Sequence, residues 1–253
     1  MALNWKNAQI NEKKFWKDVY VKNAKDDVYG KTPDEGWTSF TLQIFKRHDL
    51  DINYLNGKIV LDLGSGPGGV ARGIQVLSEK NEINNCSIIA IDPLMDFYKK
   101  EIGILKENKF TKLLTNQGEK INLPDNSVDI IFSTNVLDHC DNPDDVIKEC
   151  FRILKPGGLF YPSMHLIYDY LTLFSKFIKY FDTNHPHHFT IKQIEKKFNK
   201  KFFNHKVNNK FPIKHDQSEF NFLNIFKSKN KLRSIKRYLS NFVLYTCYFT
   251  LRK

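Results

Sequence analysis

The segment Lys58-Ile-Val-Leu-Asp-Leu-Gly64-Ser-Gly-Pro-Gly-Gly69 is a short apolar run that leads directly into a cluster of glycines. A continuous β-branched run of this length is typical of a strand that is buried on both faces of a parallel sheet. Gly64 and Gly66 lack a Cβ, so the backbone can turn sharply there and a ligand can lie against it. The segment therefore predicts a strand, a tight turn and a helix over about 69–77.

The same alternation continues along the chain. Further strands are predicted over 87–91, 110–115, 128–133 and 158–163, with helices over 95–105 and 143–154 between them. Strands and helices that alternate in this way form a parallel sheet with helices on both faces. Before the first strand, apolar positions over 11–47 predict helices that are separated by a turn at 29–36.

The pattern changes after residue 163. An aromatic stretch over 166–181 predicts a helix, and Thr190 with Gln193 forms a capping-box pair that opens another. Residues 202–207 and 242–251 alternate like strands, and we expect the two to pair antiparallel. We divide the single predicted domain of 1–253 into an N-terminal helical segment (1–54), a core (55–165), a cap with a basic insertion (166–240) and a final strand (241–253).

The charge is concentrated in the last third of the chain. The 253 residues include 39 Lys and Arg against 28 Asp and Glu, a net charge of +11. Up to Ser175 there are 21 basic and 24 acidic residues, whereas from Lys176 onward there are 18 basic and 4 acidic ones. This asymmetry favours an anionic partner for the C-terminal part, whose densest basic cluster lies within 211–240.

Location and redox state follow from smaller signals. Residues 1–10 lack the pattern of a secretion signal, and no apolar run approaches the ~20 residues that span a bilayer. The four cysteines form no CxxC pair, which favours reduced, buried thiols and a cytoplasmic protein. The sequence leaves the oligomeric state open.

The spacing of Gly64, Gly66 and Gly69 alone would fit a dinucleotide site. Asp62, two residues before the first glycine, argues against a nicotinamide enzyme, because a carboxylate there suits a cationic amino group rather than a pyrophosphate. With Asp62 included, the motif resembles the first motif of class I S-adenosylmethionine-dependent methyltransferases.

Three later segments agree with this resemblance in order and spacing. Ile89-Ala-Ile-Asp92 resembles the acidic end of the second strand, although its interval of 30 residues from Asp62 is longer than the family's usual one. Residues 118–129 resemble the adenine-side loop with the fourth strand, and 153–158 resemble the segment before the fifth. Residues 135–139 resemble the type 11 small-molecule branch, and the likeness covers roughly 55–163.

The resemblance implies a Rossmann-like α/β fold: a seven-stranded, mostly parallel sheet with an antiparallel last strand, helices on both faces, N-terminal helices and a C-terminal helical cap. It implies S-adenosyl-L-methionine as cofactor and S-adenosyl-L-homocysteine as product. By this resemblance, Asp62 and the backbone of the glycine turn contact the methionine end of the cofactor, and Asp92 binds the ribose hydroxyls. Leu94 stacks against the adenine, and Glu119 with its neighbours contacts the adenine amino group. The implied cofactor residues are Asp62, Gly64, Ser65, Gly66, Gly68, Asp92, Pro93, Leu94, Gly118, Glu119, Lys120 and Asn135.

Acceptor-side residues follow from the strand ends. His139 after the fourth strand and His165 after the fifth are candidate general bases, because ligands of such sheets bind at the carboxyl ends of the strands. Further candidates for acceptor contact are Tyr20, Tyr29, His187 and His188. The His185-Pro-His187-His188 segment has no Cys or carboxylate at ligand spacing, so we expect no metal.

These features predict a methyltransferase for a small, polar, anionic acceptor, such as a phosphorylated metabolite or a surface-glycan precursor, with O-methylation favoured. Two alternatives stay open. One is an RNA-directed methyltransferase that uses the basic C-terminal patch, although nucleic acid is not the favoured partner. The other is a non-catalytic protein that binds S-adenosylmethionine, since binding and turnover are separate properties.

Overall fold

The computed structural model describes residues 5–18, 33–174, 186–202, 204–212 and 243–253. Tyr20, Tyr29, residues 175–181 of the predicted aromatic helix and nearly all of the 211–240 basic cluster lie outside these ranges. The α-helices are α1 (Trp5–Lys17), α2 (Pro33–Arg47), α3 (Gly69–Glu79), α4 (Met95–Glu101), α5 (Pro143–Ile153) and α6 (Ile191–Phe198). The strands are β1 (Ile59–Leu63), β2 (Ser87–Asp92), β3 (Thr111–Thr115), β4 (Val128–Thr134), β5 (Leu154–Ile167), β6 (Asn204–Pro212) and β7 (Leu244–Arg252).

The described strands form one seven-stranded sheet in the order β3-β2-β1-β4-β5-β7-β6. Neighbours from β3 to β5 pair in parallel, whereas β7 is antiparallel to both β5 and β6. The predicted fold class and the antiparallel pairing of the last two strands are confirmed. Strand order reverses between β1 and β4, and a crevice for ligands opens at the carboxyl ends of strands at such a point.

Each face of the sheet is covered by helices. Alternate residues of β1 enter different cores, because successive side chains of a strand point to opposite faces. Leu61 and Leu63 pack with α5 and α6, and Val60 packs with α2 and α3. The predicted capping box of α6 is confirmed: Thr190 accepts from the Gln193 amide, and the Gln193 side chain accepts from the Thr190 amide.

Three predicted boundaries were wrong. Leu166 and Ile167, expected in a helix, extend β5 and pair with Tyr245 and Leu244 of β7; a short apolar run does not distinguish helix from strand by periodicity. The turn expected over 29–36 gives way to helix at Pro33, where proline suits the first helical turn. Helix α4 ends at Glu101 rather than 105, just before Gly103 at φ +69°.

In the part of the chain that the structure describes, no helix combines the length and apolar character needed to cross a membrane.

Candidate active site

The glycine turn between β1 and α3 has the strained backbone that its sequence predicts. Gly64 and Gly66 have φ of +69° and +55°, in the left-handed region that side chains disfavour. The Gly64 and Ser65 amides donate to the Ile91 carbonyl, at 2.7 and 3.1 Å, so the turn is attached to the end of β2. A Cβ on Gly64 would overlap Val136, so the loop after β4 packs directly on the turn.

Asp62 lies beneath this turn and is only 2% exposed. Its Oδ2 accepts from the Ala71 amide at 2.7 Å, so the carboxylate also binds the first turn of α3. Burial raises the pKa of Asp62 to about 7, although amide donors from α3 oppose the shift. The side chain is therefore a structural anchor of the turn as well as a candidate cofactor contact.

Asp92 stands beside it at the end of β2 and is 8% exposed. Its two oxygens accept from the Leu94 amide at 2.8 Å and the Gly66 amide at 3.0 Å. Desolvation raises the pKa of Asp92 to about 6. A carboxylate offers about four acceptor positions, so Asp92 retains capacity for hydroxyl donors. Pro93 and Leu94 follow directly and lead into α4.

The two carboxylates fit a cationic cofactor. Within the described ranges, neither Asp62 nor Asp92 forms an ion pair with a Lys, Arg or His side chain. In the described part of the chain, four polar atoms where the end of β4 pairs with β5 are also buried without a hydrogen-bond partner, namely Ser133 Oγ, Thr134 Oγ1, Asn135 Oδ1 and Ser163 Oγ. Buried polar groups without partners are uncommon, and a ligand site is one explanation. The donor and acceptor set therefore suits S-adenosylmethionine, which carries an ammonium, a sulfonium and ribose hydroxyls.

Helix α1 reaches this site through Trp16, a residue that the sequence did not single out. A Cβ on Gly66 would lie 3.8 Å from Trp16 Cζ2, and the Trp16 Nε1 donates to Glu12 Oε1 at 2.7 Å. The Glu12 carboxylate is close enough to contribute to the raised pKa of Asp92. Trp37 of α2 packs instead against Gly68 and is 7% exposed.

The predicted adenine-side residues follow β3, at the same edge of the sheet as the ends of β1 and β2. Gly118 packs between Val146 of α5 and Leu63 at the end of β1. Glu119 Oε1 accepts from the Asp141 amide at 2.8 Å and the Asn142 amide at 3.2 Å, which gives it a structural role in the loop after β4. Lys120 is exposed.

Near the ends of β4 and β5 the structure brings together two residues, Asp138 and His165, of which only His165 was predicted. His165 was expected after the fifth strand, but it lies within β5, opposite Thr246 of β7, because β5 continues to Ile167. Asp138 is fully buried, and its Oδ2 accepts from the His165 amide at 3.2 Å and lies 3.4 Å from His165 Nδ1. The His139 amide donates to the Val136 carbonyl at 2.9 Å, and its side chain is half-buried. Asp138 was missed because only the sheet register brings it to His165.

His187 contacts the same loop. Its amide donates to the Asp138 carbonyl at 3.3 Å, and its Nε2 lies 2.9 Å from the Cys140 carbonyl oxygen. His188 is half-buried next to it. Among the described residues, no three His, Cys, Asp or Glu side chains are grouped as a metal site requires.

The sheet order with the glycine turn and the acidic ends of β1 and β2 define the class: a class I S-adenosylmethionine-dependent methyltransferase fold. Residues 61–161 match the family described as methyltransferase domain, and this match supports S-adenosyl-L-methionine as the cofactor.

Individual relatives agree on the class but differ in reaction. The chain is 33% identical over 105 residues to a sterol 24-C-methyltransferase of Aspergillus fumigatus, which covers 41% of this chain and 27% of that protein. The alignments span about a quarter to a half of the curated relatives' own lengths.

Two solved structures share the fold. The [4+2]-cyclase SpnF superposes with a TM-score of 0.63 at 14% identity, covering 98% of this chain and 95% of that one. Haemonchus contortus phosphoethanolamine N-methyltransferase 2, in complex with S-adenosyl-L-methionine, superposes with a TM-score of 0.60 at 20% identity, covering 85% and 52%. At these identities the likeness concerns the fold alone.

Proposed function

We propose that this protein transfers a methyl group from S-adenosylmethionine to a small polar, anionic acceptor, with oxygen as the favoured methylated atom. The binding of S-adenosylmethionine is supported chiefly by the pair of buried carboxylates, Asp62 and Asp92. They lie at the ends of the adjacent strands β1 and β2, beneath the glycine turn. Asp62 would face the ammonium end and Asp92 the ribose hydroxyls. The bound cofactor would supply a methyl group on a positively charged sulfur.

The acceptor half rests on the ends of β4 and β5. We assign the general base to His165, because the buried Asp138 carboxylate lies beside its Nδ1 and would stabilise the imidazolium that forms. In the transfer, the acceptor oxygen bonds to the methyl carbon as the carbon–sulfur bond breaks, and the hydroxyl proton passes to His165. His139 is the alternative base, and the charge of the last third is the support for an anionic acceptor.

The acceptor is to be found with a screen of pooled cell metabolites in which production of S-adenosylhomocysteine is measured. With an acceptor in hand, His165→Gln should lower kcat by about 10²- to 10⁴-fold and leave the affinity for S-adenosylmethionine unchanged. Asp138→Asn should move the pH–rate profile, since Asp138 is a positioning residue. A larger loss in His139→Gln than in His165→Gln would transfer the role to His139.

Calorimetric binding of S-adenosylmethionine without turnover on any acceptor would favour the non-catalytic alternative, and absence of binding would reject the transferase and that alternative together. The RNA-directed alternative depends on the 211–240 cluster, and RNA retention with a steep salt dependence would support it. We also propose a cytoplasmic location, because Cys86, Cys140, Cys150 and Cys247 are all free and buried.

A further inference from the structure

An open cavity of about 430 Å³ lies beside α6, next to the loop that follows β4. It is lined by Pro186, His187, His188, Phe189, Gln193, Lys196, Lys197 and Lys200. Three of these residues are lysines, two are histidines and none is acidic. A concave site with this lining favours an anion.

The three lysines differ in whether they form an ion pair with an acidic side chain. Lys197 is paired with Asp144, Nζ to Oδ2 at 2.5 Å, so its charge is largely balanced. Lys196 and Lys200 are four residues apart on one face of the helix end, and within the described ranges neither has an acidic partner within 4 Å. The dipole of α6 favours basic residues at this end, which explains their type but not the cavity they line.

His187 and Phe189, which line the cavity together with the lysines of α6, are held in place by their own contacts. His187 Nε2 lies 2.9 Å from the Cys140 carbonyl oxygen, and the His187 ring stacks on Phe189 with centroids 5.5 Å apart and planes 7° apart. Lys197 Nζ lies 5.6 Å from the centroid of the Phe189 ring. A ligand that enters therefore orders few of these groups, which favours binding.

We propose that this cavity binds the phosphate group of a small phosphate monoester. Lys196 and Lys200 would supply two ammonium groups whose charge is not balanced by an acidic side chain of the described residues. The rings of His187 and Phe189 would contact the organic part of the ligand. The volume suits a molecule of a few carbon atoms up to a sugar phosphate. Because His187 joins the cavity to the loop that packs on the glycine turn, we assign the bound group to the acceptor; this last step rests on the proposed function, whereas anion binding does not.

The test is a titration of the ¹⁵N-labelled full chain with inorganic phosphate and, separately, with phosphoethanolamine, followed by amide chemical shifts. We expect saturable chemical-shift changes at His187, Lys196 and Lys200. The dissociation constant obtained from them should rise about tenfold or more in the double variant Lys196→Gln/Lys200→Gln. The matched control is Lys192→Gln/Lys201→Gln, which removes the same charge from α6 and its C-terminal end outside the cavity. This control should bind like the unmodified protein.

Absence of saturable shifts up to about 10 mM ligand, or equal weakening in the control pair, would overturn the proposal. S-adenosylmethionine binding is measured by calorimetry on the same samples, so the two ideas fail separately. Cofactor binding without phosphate binding removes the cavity proposal alone, and phosphate binding without cofactor binding removes the proposed function alone. Inorganic phosphate should also inhibit transfer competitively with the acceptor; inhibition of another type would reject the assignment to the acceptor.

Discussion

Replacing Asp92 by Asn should weaken cofactor binding and, at the same time, stabilise the protein without cofactor. The substitution keeps the size of the side chain and removes a charge that is 8% exposed. It keeps an oxygen that can accept from the Leu94 or the Gly66 amide, but not from both as the carboxylate does. The two effects have opposite signs because burial of the charge costs stability in the protein without cofactor, whereas the ribose hydroxyls bind to that charge.

The stability effect follows from the pKa. The rise in the pKa of Asp92 from 3.8 to about 6 corresponds to about 3 kcal/mol against the ionised folded protein at neutral pH. In the variant the Asn NH2 group faces one of the two backbone N–H donors, and this unpaired buried donor offsets about 1 to 2 kcal/mol. The free energy of unfolding of Asp92→Asn should therefore exceed that of the unmodified protein by up to about 2 kcal/mol at pH 7.5.

The sign of the pH dependence is fixed by the same shift. A raised folded-state pKa gives stability that is present below pH 3.8 and lost as pH rises through about 6. The advantage of Asp92→Asn should therefore shrink as the pH is lowered toward 4, where the native carboxyl is protonated. Urea denaturation at several pH values, without cofactor, measures this.

Cofactor affinity should move the other way. Hydrogen bonds from two ribose hydroxyls to a charged acceptor contribute about 3 kcal/mol in total, so the Kd for S-adenosylmethionine should rise about a hundredfold, as measured by calorimetry.

Asp129→Asn is the matched control at the opposite end of the sheet. Asp129 Oδ2 accepts from the Ile59 amide and from Lys155 Nζ, both at 2.9 Å, and these partners hold its pKa below the usual value. This variant should lose stability and keep its cofactor affinity. If Asp92→Asn destabilised the protein and left the Kd unchanged, the assignment of Asp92 to the ribose would be refuted.

Two further predictions concern the same region. The affinity for S-adenosylmethionine should rise about tenfold or more between pH 5 and 7, because binding favours ionised Asp62 and Asp92, whose pKa values are raised to about 7 and 6. Calorimetry in buffers of different ionisation enthalpy should detect the release of protons on binding. An affinity that does not change with pH would contradict the pairing of these carboxylates with the cationic cofactor. Gly73→Ala should lower the free energy of unfolding by about 3 kcal/mol in urea denaturation, because the added methyl group would overlap Thr41. The control Gly57→Ala, at φ +70° with no atom within 4 Å, should lower it by about 1 kcal/mol. Equal losses in the two variants would show that α2 and α3 separate easily at Gly73.

The glycine turn, the strand that precedes it and the capping box of α6 could be predicted because their causes are local. Gly64 and Gly66 are required by backbone sterics within a few residues, and Thr190 reaches the Gln193 amide inside one helical turn. Alternation of strands and helices then restricts the topology to a parallel sheet. The order of motifs along the chain could therefore be read without any knowledge of distant contacts.

The sequence by itself determined the sheet, the turn and the two acidic strand ends. Only the tertiary structure decided that Asp138 lies beside His165, that Trp16 of α1 approaches Gly66 and that Glu119 binds the loop after β4. These contacts join residues about 20 to 50 positions apart, and they depend on strand register and helix packing, which no local pattern encodes. The cavity beside α6 has the same origin, since its wall forms only when His187 reaches Cys140 across the fold.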